Sequence, residues 1–340
     1  MRSVDQTVST GDLPAWDHVK ASVDQAYRLS VDVHDGAVTR RIPALSKADP
    51  GLFGICVAGV SGRAYGVGDA DHLFSIQSIS KAFVYALVCD AVGHDVVLDR
   101  VGVNNTGQAF DSVMAIELNE GHPMNPMVNA GAIATTALAP GTTPEARWAF
   151  VRRGLSRFAG RELHIDTEVY ESETATNQRN LAIARLLESY DRIDGDPMDA
   201  VDVYTRQCAL MINAHDLAVM GATLADGGVN PLTGDQVVPA AVCNDTLAVL
   251  ATSGLYERSG EWLFEIGVPG KSGVGGGIVA AAPGKGGIGT FSPRLDTAGN
   301  SVRGQRATAY LSRSLGLNLF ASTAHPHSAR LPGAGDGHRT

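Results

Sequence analysis

The sequence predicts an α/β protein in which a mixed sheet, flanked by helices, is interrupted by an inserted all-helical lobe. Two observations lead there. Strand-like segments cluster toward the two ends of the 340-residue chain, and segments of helical spacing fill its middle. Gly and Pro punctuation separates the two kinds of segment. The layout gives one domain over residues 1–323, with an α/β lobe at about 25–85 and 256–323 and a helical lobe at about 86–255. Residues 324–340, rich in His, Pro, Gly and Ala, are expected to be a disordered tail. A cleft between two lobes is a common place for a small-molecule site.

The elements follow in order. Residues 13–30 carry Trp16, Val19, Val23, Ala26 and Tyr27 along one helical face. Leu52 to Val60 reads as a buried strand, Ser61-Gly62 as a turn, and Arg63 to Gly68 as the returning strand of a hairpin. Phe74 to Asp90 reads as one strongly apolar helix. Pro144 after Thr142-Thr143 starts a helix that Gly160 ends. Further helices fit 177–190, 199–210, 215–226 (closed by Gly227-Gly228) and 239–253. Ile266 to Ala282 and Gly286 to Phe291 look like strands joined at Pro283-Gly284, and 304–320 returns to helical spacing.

Composition narrows the function classes. A net charge of -9 argues against nucleic acid or an anionic membrane as partner, since both need concentrated Lys and Arg. The longest apolar run, Ala82 to Cys89, is far short of the ~20 residues that span a bilayer. The N-terminus lacks the apolar run of a signal peptide. Cys56, Cys89, Cys208 and Cys243 are scattered without metal-ligand spacing, and read as reduced residues of a cytoplasmic protein. The ten histidines form no His-x-x-x-His pair, so no zinc site is expected.

The sharpest local signal is Ser78-Ile79-Ser80-Lys81 near the start of the 74–90 helix. Residues three apart share a helical face, so both side chains can reach one pocket. A serine hydroxyl becomes nucleophilic when a base takes its proton. A lysine held in an apolar helix is desolvated, which lowers its pKa toward that of a useful base. The same spacing also fits a plain helix start, with Ser78 as cap and Lys81 in solvent. Far downstream lies Lys271-Ser272-Gly273, followed by Val274-Gly275-Gly276-Gly277. Ser-x-x-Lys early with a Lys-Thr-Gly-like triplet late marks the serine β-lactamase and penicillin-binding group. The glycine-dense stretch is expected to let a ligand approach the backbone, with N–H groups facing an oxyanion. Gly284-Lys285-Gly286-Gly287 lacks the Ser or Thr of a P-loop and reads as a turn. Asn129 fits either a helix cap or a ligand-binding amide. Glu173 and Asn180, seven apart, are expected on one helix face, which is either solvated or ligand-binding.

Taken together, IPALSKADPGLFGICV, FSIQSISK, NPMVNAGAI, ESETATNQRN, VYTRQCAL, SGLYERSGEW, GKSGVGGGI and FSPRLDTAGNSVRG, in that order, resemble the serine-dependent glutaminases. That family has the serine β-lactamase-like fold, and the resemblance runs from about Ala37 to Phe320. It implies hydrolysis of L-glutamine to L-glutamate and ammonia through a γ-glutamyl ester, without metal or organic cofactor. By position, it implies Ser78 as nucleophile, Lys81 as base and Tyr256 as proton donor to the leaving nitrogen. Asn129, Glu173, Asn180, Tyr204 and Val274 fall on its substrate contacts. Arg41 departs from the pattern, standing where the family usually has tyrosine; its charge suits a substrate α-carboxylate, or it turns outward. The compact bacterial form implies a homo-oligomer, a tetramer or dimer. A β-lactamase or D-amino-acid peptidase on the same fold, and a glutamine-binding protein without catalysis, are the competing readings.

Overall fold

The Ile-Cys-Val run at Gly54–Gly59 is buried throughout rather than alternately, which is what a strand covered on both faces looks like. Around it the computed structural model describes residues 11–322; the tail predicted at 324–340 lies outside the described residues. The chain begins with α1 (Trp16–Ser30), then β1 (Gly54–Gly59), β2 (Ala64–Gly68) and β3 (Phe74–Ser75). The helices α2 (Ser80–Val92), α3 (His94–Arg100), α4 (Met114–Glu117), α5 (Asn129–Ala137), α6 (Pro144–Ala159), α7 (Thr167–Thr176), α8 (Gln178–Ser189) and α9 (Pro197–Cys208) follow. The short strand β4 (Met211–Ile212) leads into α10 (Ala214–Ala225), α11 (Ala240–Ser253) and α12 (Ser259–Glu265). Strands β5 (Gly270–Ser272), β6 (Gly277–Ala282) and β7 (Gly286–Phe291) and helix α13 (Val302–Ser314) complete it.

The main sheet has the order β2-β1-β7-β6-β5. All its pairings are antiparallel, where a mixed sheet was expected: each neighbour returns through a hairpin or lies beside a strand running the opposite way. Val57 faces Ile288, and Ile278 faces Thr290. Helices α1 and α13 cover one face, burying Val19, Val23 and Leu311 against Ile55, Val57, Ile278 and Ile288. Helix α10 lies on the other face with Leu217 and Val219 among Cys56, Ala58 and Val279. Glycines on β7 allow that approach: a Cβ on Gly287 would stand 2.2 Å from the Ala218 carbonyl oxygen, and one on Gly289 2.0 Å from that of Ala214. Beyond α10, α5, α8 and α9 bury Ile133, Ile183, Leu187 and Val201 together.

Local signals account for several boundaries. Thr143 caps α6 by accepting from the Ala146 amide, Pro144 occupies its first turn, and Gly160 ends it in the left-handed region. Asn213 and Asp216 form a reciprocal capping box at α10. Three expectations need correction. The helix predicted over Phe74–Asp90 starts only at Ser80, because Phe74 and Ser75 pair with Ile212 and Met211. Gln77 then takes a positive φ of 49°, and Gln77–Ile79 forms a 3₁₀ turn. The strand predicted over Ile266–Ala282 is cut by a tight turn at residues 273–276 into antiparallel β5 and β6. Glu173 and Asn180 do not share a helix, since the chain breaks at Asn177 between α7 and α8. The turn read at Gly284-Lys285-Gly286-Gly287 joins β6 to β7, with Lys285 Nζ donating to the Gly316 carbonyl. All four cysteines are buried free thiols. Among the described residues no helix is long and apolar enough to cross a membrane.

Candidate active site

Ser78 owes its position to the kink at Gln77. Strand β3 delivers the chain, the left-handed residue turns it, and the 3₁₀ turn places Ser78 in the first turn of a helical run that continues as α2. Amides in a first helical turn have no partner within the helix. Strain of this kind in a non-glycine residue gathers at functional sites. The Gln77 amide nitrogen is anchored on Ser75 Oγ (3.2 Å) and Glu173 Oε2 (3.3 Å). Opposite lies the β5–β6 turn with Val274, whose amide makes no hydrogen bond among the described residues. The glycines around Val274 also admit the backbone of the Ser78 turn: a Cβ on Gly275 would sit 2.8 Å from the Ser75 carbonyl oxygen, and one on Gly273 3.0 Å from that of Ile76. Ser78 and Val274 line the same cavity.

Lys81 is buried, not solvated. Its Nζ donates to Asn129 Oδ1 (2.7 Å) and to the Met127 carbonyl (3.1 Å), and lies 5.8 Å from the ring centres of Phe110 and Tyr204. Burial lowers its pKa to about 8, against the opposing pull of Cys208, Glu173 and Asp111. These hydrogen bonds run to Asn129 and Met127 rather than to Ser78. The group beside the Ser78 hydroxyl is the Tyr256 phenol. Tyr256 sits in a 3₁₀ turn with φ 57° and donates to the Ser272 carbonyl (3.2 Å). Burial drives its pKa up, only partly offset by Ser78 and by the charge of Arg41. Lys271, also buried, stands with Nζ 4.3 Å from the Tyr256 ring centre and donates to the Ser272 carbonyl (2.7 Å). Burial, then the nearby Lys81, hold its amine well below the usual lysine range. The sequence pattern marks the Lys271 triplet without giving the lysine a role; a lone cation inside an apolar strand pair was the available signal.

The other expected residues arrive from separate elements. Asn129 is the first residue of α5 rather than its cap, which is Val128; its Nδ2 donates to Asn180 Oδ1 (2.9 Å). Glu173 is buried at the end of α7, and burial pushes its carboxyl up to about 7 despite the Gln77 hydrogen bond and the Lys81 charge. Tyr204 on α9 is buried beside Lys81. Arg41 is exposed at the rim, donates from Nη1 to Asp111 Oδ2 (3.1 Å), and lies over the Phe110 ring at 4.9 Å. Phe110 in turn packs on Tyr256, centroid to centroid 4.7 Å. Gln77, Phe110, Asp111 and Arg179 also line this cavity without having been singled out; Gln77 and Arg179 lie inside the FSIQSISK and ESETATNQRN blocks, whereas only contacts across long stretches of chain mark Phe110 and Asp111.

One cavity of about 130 Å³ is lined by Arg41, Ser78, Asn129, Glu173, Asn180, Tyr204 and Val274, with Lys81 and Tyr256 packed behind its wall. The site thus gathers a hydroxyl, the free amide of Val274, a buried carboxyl, and, behind the wall, an amine of lowered pKa and a protonated phenol. Such a set suits acyl transfer on a small cationic or zwitterionic molecule.

A family model for glutaminases matches residues 36–320. The chain is similar to a protein named Glutaminase 2 from Yersinia pestis, 55% identical over 316 residues, which is 93% of each chain. It is also similar to a solved structure described as a probable glutaminase, at TM-score 0.90 and 44% identity over 91% of this chain and all of the other. A solved structure of a protein called Mglu in its glutamate form matches at TM-score 0.84 and 41% identity over 91% of this chain and 70% of that one.

Proposed function

Because the chain belongs to the glutaminase family, with the β-lactamase-like fold and hydrolysis of glutamine as its reaction, we propose that Ser78 is the nucleophile. The observation that carries this reading is a buried hydroxyl at a helix start, with a low-pKa lysine one turn on and a phenol at its side. Ser78 attacks the side-chain amide carbon of L-glutamine and Lys81 takes its proton. The oxyanion forms between the amides of Ser78 and Val274, where one such donor contributes about 10²–10³ in rate. Tyr256, kept protonated by burial, donates to the departing nitrogen and regains a proton from Lys81. Ammonia leaves, a γ-glutamyl ester remains, and water attacks it by the reverse proton path to give L-glutamate.

Glu173 supplies the charge that pairs with the substrate ammonium. Asn129, Asn180 and Tyr204 hold the molecule in place, and Asn129 links it to Lys81. We read a single catalytic domain, expected over 1–323; among the described residues, one cavity that draws side chains from both halves of the chain supports it. Four buried free thiols support a reducing compartment, the cytoplasm. A homo-oligomer, tetramer or dimer, belongs to the same reading and rests on the family resemblance.

The test is ammonia release from L-glutamine and L-asparagine. The Ser78→Ala protein is expected to lose about 10³-fold or more in kcat with its fold intact by circular dichroism. Retention of more than a tenth of the activity would remove Ser78 from the chemistry.

A further inference from the structure

The cavity wall carries charge in an unequal pattern. Its deep end holds one buried carboxylate, Glu173. Its rim holds two guanidiniums, Arg41 and Arg179, around the single carboxylate of Asp111, at 3.1 and 3.5 Å. The rim therefore has a surplus positive charge. A free amino acid presents an ammonium and a carboxylate on one carbon. Glu173 suits the first, and a cation is the strongest partner for the second.

The amides of the wall are neutral. Asn129 accepts from Lys81 and donates to Asn180, and the amide N–H groups left over can meet a carboxylate only as uncharged donors. Arg41 is different. It uses Nη1 on Asp111 and lies over the ring of Phe110, while its Nε and Nη2 make no hydrogen bond among the described residues. A guanidinium anchored through Nη1 with Nε and Nη2 left over can make a two-pronged carboxylate contact.

Resting on the glutaminase reading, we propose that Arg41 binds the substrate α-carboxylate directly and that Asp111 is the positioning residue that holds it there. Arg179 fixes Asp111 in turn, through Nε on its backbone carbonyl (2.7 Å).

The experiment compares L-glutamine with its α-amide, which keeps the ammonium and side-chain amide but loses the negative charge. Side-chain ammonia release is measured as kcat/KM. The unaltered enzyme is expected to prefer glutamine by about 10- to 100-fold, the range for a charge-assisted pair. Arg41→Gln and Arg41→Tyr should erase most of that preference by raising KM for glutamine, and change the α-amide less than about threefold. Arg41→Lys should keep part of it. Asp111→Asn should raise KM for glutamine with kcat near its original value. Equal losses for both substrates, an unchanged or lower KM for glutamine in Arg41→Tyr, or no preference in the unaltered enzyme would overturn the proposal. Binding of both ligands to the Ser78→Ala protein makes the same comparison without turnover. If the unaltered enzyme releases no ammonia from glutamine, the catalytic reading fails separately.

Discussion

Lys81 shows how far one side chain's surroundings decide its chemistry. In water a lysine amine is almost wholly protonated at neutral pH. Buried against Tyr204 and Phe110, with a pKa of about 8, roughly one molecule in ten carries the neutral amine at pH 7. In the proposed mechanism the neutral form is the base, so activity should rise with pH and level off above about 8. Glu173, near 7, would there be needed ionised to hold the substrate ammonium, which adds a second loss on the same acid side. A plot of log kcat/KM against pH is therefore expected to climb with slope near one between 7 and 8 and more steeply below 7. A profile flat from pH 6 to 8 would count against Lys81 as the base. Tyr256, its pKa raised by burial, stays a donor throughout this range.

At the scale of elements, the close contact between α10 and β7 places a strict demand on the sequence. A methyl carbon added at Gly287 would meet backbone atoms of α10, with the Ala218 carbonyl oxygen at 2.2 Å and the Ala222 nitrogen at 2.4 Å, so no side-chain rotation can relieve it. Gly287→Ala is expected to cost about 1–3 kcal/mol or more, read as a lower urea midpoint. Gly260, on α12, has nothing within 4 Å of the same position. Gly260→Ala should be neutral or stabilising by up to about 1 kcal/mol, from helix propensity alone. Similar losses in the two variants would show that the packing argument is wrong. The turn at 273–276 follows the same logic, since its glycines let one backbone lie on another and bring Val274 opposite Ser78.

Across the whole molecule, Arg303 joins the two ends of the chain. Buried on α13, it donates to the carbonyls of Val33 (2.7 Å) and Gly51 (2.9 Å) and lies over the ring of Phe53. Those carbonyls bracket the segment that carries Arg41 to the rim. Arg303→Met should leave them unpaired, lowering stability by about 1–3 kcal/mol, and should raise KM more than it lowers kcat. An unchanged KM in a destabilised protein would confine Arg303 to folding.

Legibility in the sequence followed distance along the chain. Helix faces at 16–27, the cap and stop of α6, and the strands at 54–59 and 286–291 are local patterns, visible without coordinates. Ser78, Lys81 and Val274 were readable because spacing and neighbouring residues mark them. The two-residue strand β3 was not, because its stability comes from Met211 and Ile212. Phe110 and Asp111 were not, because nothing in their own neighbourhood distinguishes them from any loop. The chain alone thus determined which side chains are available to the proposed chemistry and most of the periodicities that form helix or strand. Tertiary packing decided that the Lys81 amine points to Asn129 and Met127, that the Tyr256 phenol lies near the Ser78 hydroxyl, and that Arg41 turns one edge to Asp111. Dielectric surroundings and hydrogen-bond partners belong to residues brought together by folding, and no stretch of sequence holds them by itself.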